Sequence, residues 1–340
     1  MRVVCLRGGF GLERLVLEER PDPTPGAGEV LLRMRAASLN FRDVSLARGT
    51  YDPRLTLPVV LGSDGVGEVV GRGSAATRFA LGERLCPLFA RGWYDGPPTR
   101  ATTRNTLGAP LDGTFAELFV AREDDLVRAP SALTDEEAAT LGCAGVTAYR
   151  TLFELARVEA KTRVLVIGTG GVATYALALA HAVGAEVVVV SRSAAKLERA
   201  RALGPRLSVD AAQQPEWGVA VRELVGGDGV DLVVELGGAA TLSQSLRAVR
   251  AGGTVALIGH TPGGTHTPSL VPVVMREIRV QGVLVGPRAT FEALVRFVEQ
   301  TQVRPVVDRV FSLADYGLAF GALAEGDAFG KTCLRLAPST

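Results

Sequence analysis

The apolar positions of the chain follow two rhythms. Over residues 1–160 they come in short runs broken by prolines and glycines. Val30, Leu32 and Met34 alternate with polar neighbours and predict a strand over 29–37. Further strands are expected at 2–6 and 113–120, with a strand pair over 59–70 interrupted by Gly62, Gly65 and Gly67. Ser38-Leu39-Asn40-Phe41-Arg42-Asp43 predicts a polar turn into a short helix. Residues 91–110 show no period and predict a long loop, the kind of segment that often carries function. Thr134 and Glu137 have the spacing of a capping box and start a helix.

From about residue 162 the rhythm becomes strand–helix alternation. Strands are expected at 186–190, 207–209, 230–235, 254–258 and 278–285, and helices at 193–203, 216–225 and 242–249. This succession predicts an α/β fold with a mostly parallel sheet covered by helices. Its first unit is Val164-Leu165-Val166-Ile167-Gly168-Thr169-Gly170-Gly171-Val172-Ala173, a strand, a glycine turn and the start of a helix to about 183. Gly168 suits the sharp turn, Gly170 the close approach of a pyrophosphate, and Ala173 close helix–strand packing. The N–H groups at the helix start would receive the phosphate charge. The last stretch, 288–340, returns to a helix at 291–299 and short strands, and is expected to complete the first domain.

Composition narrows the class. The 340 residues suffice for two domains, and 47% apolar content argues against disorder. A formal charge of +1 gives no reason to expect a nucleic-acid partner. The four cysteines, Cys5, Cys86, Cys143 and Cys333, form neither a CxxC pair nor a disulfide framework. The N-terminus lacks the apolar core of a signal peptide, and no apolar run is long enough for a membrane span. The expected compartment is the cytoplasm.

The residues after the second strand of the α/β half bear on cofactor choice. A carboxylate there would grip a ribose 2′-hydroxyl and favour NAD. The sequence instead offers Ser191, Arg192 and Lys196, with no acid before Glu198. A planar guanidinium and an amine suit a 2′-phosphate, which favours NADP(H). The alternative is that both are solvated charges at an exposed helix start.

Nearly the whole chain resembles the medium-chain dehydrogenase/reductase family. The resemblance rests on 36–43 (AASLNFRD), 61–70 (LGSDGVGEVV), 141–149 (LGCAGVTAY), Gly168 to Ala173 and Gly330-Lys331. It implies a GroES-like β-rich catalytic domain begun by residues 1–150, a doubly wound Rossmann domain at 151–287, and a return at 288–340 that completes the catalytic domain. The active site would lie between the domains, and hydride would pass between a nicotinamide and an alcohol, aldehyde, enone or quinone.

Where the zinc-dependent branch of that family places ligands, this chain has Asn40, Ser63 and Cys143. A catalytic zinc normally takes three protein ligands and keeps an open position. Only Cys143 suits zinc, and residues 80–115 lack the four-cysteine lobe of that branch, so the expectation is a zinc-free enzyme. Asn40 is the best single donor, in the loop that would face the nicotinamide; the alternative is that it caps the helix after it. Ser63, with Asp64 to orient it or Arg42, and Tyr94 are the other catalytic candidates, and Phe89 to Asp95, including Trp93, is expected to form an aromatic acceptor wall. Arg42 and Asp43 are expected to pair. Thr147 belongs to the segment resembling the nicotinamide-proximal helix. Gly237, Ile258, Gly259 and Gly286 occupy strand ends that the cofactor would cross, while Arg288 and Lys331 would reach its phosphates. His260 follows a cofactor-facing strand and reads as a loop residue.

Without a metal, a conjugated acceptor is the easier substrate, because its charge spreads into an enolate or phenolate. The reading is therefore an NADPH-dependent reductase of quinones or α,β-unsaturated carbonyls. The alternatives are an alcohol or aldehyde dehydrogenase and a nucleotide-binding protein without catalysis. The apolar strand at 278–285 is expected to pair across a two-fold axis in a homodimer.

Overall fold

The computed structural model describes residues 1–259 and 268–336, so His260 lies outside the described residues. Its contacts divide the chain into two compact units, Met1–Val146 with Val285–Thr340, and Thr147–Leu284.

The second unit is built on a six-stranded parallel sheet. Its strands lie in the order Leu207–Asp210, Glu186–Ser191, Arg163–Ile167, Val230–Glu235, Val249–Leu257 and Arg279–Gly282. The first strand in sequence is thus central, with Val166 facing both Val189 and Val234 across the ladders. A central strand covered on both faces needs no polar side, which explains the unbroken run from Val164 to Ile167, none of it more than 6% exposed. The chain leaves this strand through Gly168 and enters the helix Gly171–Ala182, where Ala173 is fully buried. The order reverses between Arg163–Ile167 and Val230–Glu235, and ligands bind beyond the strand ends at such a point. The last strand covers only Arg279–Gly282, half of the expected 278–285. It pairs with Thr254–Leu257, and that partner strand ends at Leu257.

The first unit carries a seven-stranded sheet. Along it run Val307–Ser312, Lys331–Arg335, Glu29–Leu39, Gly65–Arg72, Arg84–Pro87 and Leu126–Arg128, with Leu118–Arg122 also pairing to Glu29–Leu39. A smaller sheet holds Leu15–Glu19, Arg2–Leu6 and Val59–Val60. The segment expected as a strand pair at 59–70 is therefore shared between two sheets. Gly62, at φ +95°, lies in the link, and any side chain there would strike Phe115 and Thr114. Thr134 and Glu137 form the expected capping box. The wide helical turns Leu141–Gly145 that follow carry Cys143, and nothing in the sequence spacing marks them.

Two expectations for the 89–110 region change. Phe89 and Trp93 are 4% and 1% exposed, so they are core rather than a pocket wall. Phe89 lies against the Arg42 guanidinium, and the Trp93 indole N–H donates to the carbonyl of Gly96. Arg42 does not pair with Asp43. It donates to the carbonyls of Leu107 and Ala109 and to Thr106, bracing the loop against the helix Phe41–Ala47.

Candidate active site

In the parallel-sheet unit, the strand ends gather most of the expected dinucleotide contacts. Gly168 has φ +88°, a conformation that costs an ordinary residue strain, and its N–H donates to Val190 at 2.7 Å. Gly170 precedes the helix in extended backbone, φ −79° and ψ −170°, and no side chain caps this helix start. A Cβ built on Gly170 meets nothing within 4 Å. Protein packing therefore does not require this glycine; the space above it fits a pyrophosphate drawn to uncapped N–H groups. Thr169 is buried, while Gly171 and Val172 in the first turn are partly exposed. At the neighbouring strand end the Ser191 hydroxyl accepts from Ser193 N–H, Arg192 is exposed, and the Lys196 N–H donates to the Ser193 cap. These residues fit the adenosine end of a dinucleotide, which would bring hydride chemistry to the nicotinamide end.

Gly237, Ile258 and Gly259 lie at the same edge of the sheet, but a carboxylate that sequence reasoning missed governs them. Glu235 is fully buried. It accepts from Gly237 N–H at 2.7 Å, Gly238 N–H at 3.0 Å, the Thr241 hydroxyl and the Ser245 hydroxyl. Its carbonyl accepts from both Ile258 and Gly259. A buried carboxylate is tolerated only when so satisfied. The two glycines are held by packing: a Cβ on Gly237 would strike Thr241, and one on Gly259 the Leu236 carbonyl. The signal in the sequence was a lone acid ending an apolar strand before two glycines. Thr147 is buried, and its carbonyl accepts from the Thr151 hydroxyl.

In the first unit, two groups of candidate residues separate. Tyr94 and Arg288 form one, with the guanidinium stacked on the ring at 4.7 Å from its centroid. Arg288 also bonds the carbonyl and carboxylate of Asp124 and lies 3.7 Å from Glu292. Burial and the neighbouring Asp125 hold the Tyr94 phenol above its ordinary range. Arg288 is thus committed within its own unit, which corrects the expectation that it reaches a phosphate. Gly286 lies two residues ahead of it and is half-buried.

The second group is the densest polar cluster of the unit. The Lys331 ammonium, on a residue 3% exposed, donates to the Asn40 amide oxygen at 2.5 Å and the Leu39 carbonyl at 2.8 Å, and lies 3.6 Å from the Asp64 carboxylate. Lys331 is therefore no exposed phosphate ligand; its acceptors hold it inside. Asp64 accepts from the Ser38 hydroxyl at 2.8 Å and the Cys143 N–H at 3.1 Å, and orients neither Ser63 nor Arg42. One Asn40 amide N–H also donates to the Asp64 carboxylate, at 3.5 Å. The Asp43 carboxylate takes the Asn40 backbone N–H at 2.8 Å, one half of a capping box in which the Asn40 side chain faces the Asp43 N–H at the start of the helix. Burial pushes Asp43 up to about 6, against the pull of the Asn40 N–H and Arg42. Burial also raises Asp64, against the pull of Lys331. Ser63 is fully buried, and its hydroxyl oxygen has no hydrogen-bond partner among the described residues.

This cluster does not fit a catalytic zinc. At the three positions stand an amide, a buried hydroxyl and a thiol. Loss of hydration, followed by the charge of Asp64, pushes the Cys143 thiol up to about 12. Among the described residues, no group of three or more His, Cys, Asp or Glu could hold a metal ion. A lysine ammonium already sits against the amide.

The chain matches the alcohol dehydrogenase GroES-like domain family over residues 26–131 and the zinc-binding dehydrogenase family over 171–300. A zinc-type alcohol dehydrogenase-like protein of Schizosaccharomyces pombe is 36% identical, over 96% of each chain. The chain belongs to the medium-chain dehydrogenase/reductase family. Also similar to this dehydrogenase/reductase are a solved NAD-dependent alcohol dehydrogenase, 33% identical with a TM-score of 0.91 over 99% of this chain and 100% of that one, and an acryloyl-coenzyme A reductase of Metallosphaera sedula, 28% identical over 94% of this chain and 95% of that one. It is an oxidoreductase that uses a nicotinamide dinucleotide, with a GroES-like N-terminal domain and a Rossmann-type sheet. Zinc in the matched family's description does not extend to this donor set. No helix among the described residues is long and apolar enough to cross a membrane.

Proposed function

We propose that this dehydrogenase/reductase interconverts an alcohol with its aldehyde or ketone, using NADP(H) and no catalytic metal. The observation that carries the reading is the Asn40 amide, whose oxygen is bound by the Lys331 ammonium. An ammonium only donates, so the amide must present its oxygen to Lys331 and its N–H bonds elsewhere. A bound NADPH would supply hydride to the carbonyl carbon, leaving charge on the carbonyl oxygen that a proton from solvent would neutralise. One Asn40 N–H donates to Asp64, and the other is the donor that this reading assigns to that oxygen as its charge develops. A saturated carbonyl needs such a donor most, because its charge stays on one atom. Relatives described as alcohol dehydrogenases support the same choice. Arg192 and Lys196 support NADP(H) through the 2′-phosphate.

A second reading, reduction of an enone or quinone, is favoured by the relatives described as acryloyl-coenzyme A reductases. A substrate panel separates the two. Turnover of saturated aldehydes or ketones with NADPH, reversed with alcohols and NADP⁺, is expected. Activity confined to enones or 1,4-quinones overturns the first reading in favour of the second. In the same assays Arg192→Ala is expected to weaken NADPH binding by about 10- to 100-fold, the worth of a charge-assisted phosphate contact, and to leave NADH unchanged. Equal losses for both cofactors would remove the phosphate role.

We also propose a homodimer through the free edge of the six-stranded sheet. Val280 on that edge is 41% exposed, and Val274 and Met275 beside it are 74% and 75% exposed. A sedimentation mass of twice the chain supports this pairing, and the mass of one chain at micromolar concentration removes it.

A further inference from the structure

We infer that Lys331 is a positioning residue for hydride transfer: its buried ammonium serves as the fixed positive charge of the site, acting on the reacting oxygen through the Asn40 amide. The inference rests on the proposed role of Asn40 as donor and assigns the source of that donor's orientation and strength.

The backbone places the charge. Lys331 opens the strand Lys331–Arg335, which pairs antiparallel with the end of Glu29–Leu39, Thr332 opposite Leu39. Its N–H donates to Val306 at 2.9 Å. Gly330 precedes it at φ +91°, and a Cβ there would strike the Val306 carbonyl. A glycine is thus required for the chain to enter the sheet at this angle, and the next side chain then enters the interior beside Asn40.

The local chemistry gives the charge a use beyond holding strands together. Burying a lysine ammonium is expensive, and cores usually avoid it. This one faces three acceptors of different kinds: the Leu39 carbonyl, the Asn40 amide oxygen and, at a longer distance, the Asp64 carboxylate. The shortest contact is to the neutral amide, and the carboxylate lies at 3.6 Å. A salt bridge built for stability would be expected to close on the carboxylate. Here Asp64 is held by Ser38 and Cys143 N–H, and the ammonium spends its closest contact on the amide. A cation on an amide oxygen draws electron density from the nitrogen, which makes the N–H a stronger donor. Asp43 and Arg42 are the other charged groups that act on this cluster. Asn40 is partly exposed while Lys331 is buried, so a molecule arriving from solvent would meet the amide and not the ammonium.

Lys331→Gln keeps a hydrogen-bond donor and removes the charge; Lys331→Arg keeps the charge. The measurements are kcat, KM, NADPH affinity and melting temperature of the full chain, with the preferred substrate of the panel. Lys331→Gln is expected to lower kcat by about 30-fold, part of the worth of one such donor, with NADPH affinity within about twofold. Lys331→Arg is expected to retain most of kcat. In an Asn40→Ala background, which has no N–H to strengthen and adds no charge, Lys331→Gln is expected to change kcat by less than about threefold, because the two residues act as a unit. If Lys331→Gln keeps wild-type kcat while Asn40→Asp is slow, the role of Lys331 is overturned and that of Asn40 stands. If Lys331→Gln fails to fold, Lys331→Arg decides: a folded, NADPH-binding arginine variant with kcat reduced 30-fold also overturns it. If Asn40→Asp itself keeps wild-type kcat, the donor reading beneath the inference fails.

Discussion

Asn40→Asp is expected to lower kcat by about 100-fold while NADPH affinity stays within about twofold, the cost of losing one donor at a developing oxyanion. The substitution is nearly isosteric. It leaves an oxygen for the Lys331 ammonium, which now bonds the amide oxygen at 2.5 Å, removes the N–H donors, one of which reaches Asp64 at 3.5 Å, and adds a carboxylate beside that group. The helix Phe41–Ala47 keeps its capping box, because Asp43 still takes the backbone N–H of residue 40 and an aspartate oxygen suits the other half. Asn40→Ala is the harsher change. It removes the donor and also an acceptor of a buried ammonium, so it is expected to cost about 1–3 kcal/mol of stability as well. The informative comparison is between the two: equal loss of kcat with unequal melting temperatures assigns the catalytic effect to the N–H. Wild-type kcat in Asn40→Asp would show that the amide does not touch the reacting oxygen.

Gly170→Val is expected to weaken NADPH and NADH binding alike by at least about 30-fold, with a loss of stability no greater than about 1 kcal/mol, the penalty of a poor helix cap. The backbone at this position is extended and open to any residue, and an added Cβ meets no protein atom within 4 Å. What valine would fill is the space over the uncapped helix start, where a pyrophosphate needs close backbone approach. Gly168 makes the contrast. Its φ of +88° strains any other residue, so Gly168→Val is expected to cost stability before binding is considered. Titration of NADPH fluorescence beside thermal melting separates the two glycines. Undiminished affinity in Gly170→Val would show that the dinucleotide does not cross this turn.

The parallel sheet was legible because its signal is local. A strand covered on both faces is an uninterrupted apolar run, and the turn after Ile167 advertises itself by glycines. Asn40 was legible as a candidate for its amide, but its partners were not. Asp64 is 24 residues away and Lys331 is 291, and only the register of two strands brings them together. The terminal motif marks Lys331 but not its direction, since nothing in a sequence tells whether a lysine snorkels out or is drawn in. Phe89 and Trp93 failed for a related reason. An aromatic cluster in a loop shows that apolar area exists, and the packing around Arg42 decides which way it faces. Glu235 was passed over because a single acid at the end of a strand looks like a surface residue until the donors of the next turn are counted.

The strand Lys331–Arg335 lies between Val307–Ser312 and Glu29–Leu39 in the larger sheet. As the chain is synthesised, Asn40 at the end of Glu29–Leu39 emerges 291 residues before Lys331, the first residue of its last neighbour. The residues Thr147–Leu284 form a contiguous unit that needs nothing beyond themselves to close their sheet. The amino-terminal unit must instead keep an edge of Glu29–Leu39 open until residue 335 has been made, with Asn40 at the tip of that edge and no ammonium beside it. The parallel sheet of Thr147–Leu284 can therefore close before the strand that carries Lys331 exists, and Asn40 gains its ammonium neighbour only after that strand is made.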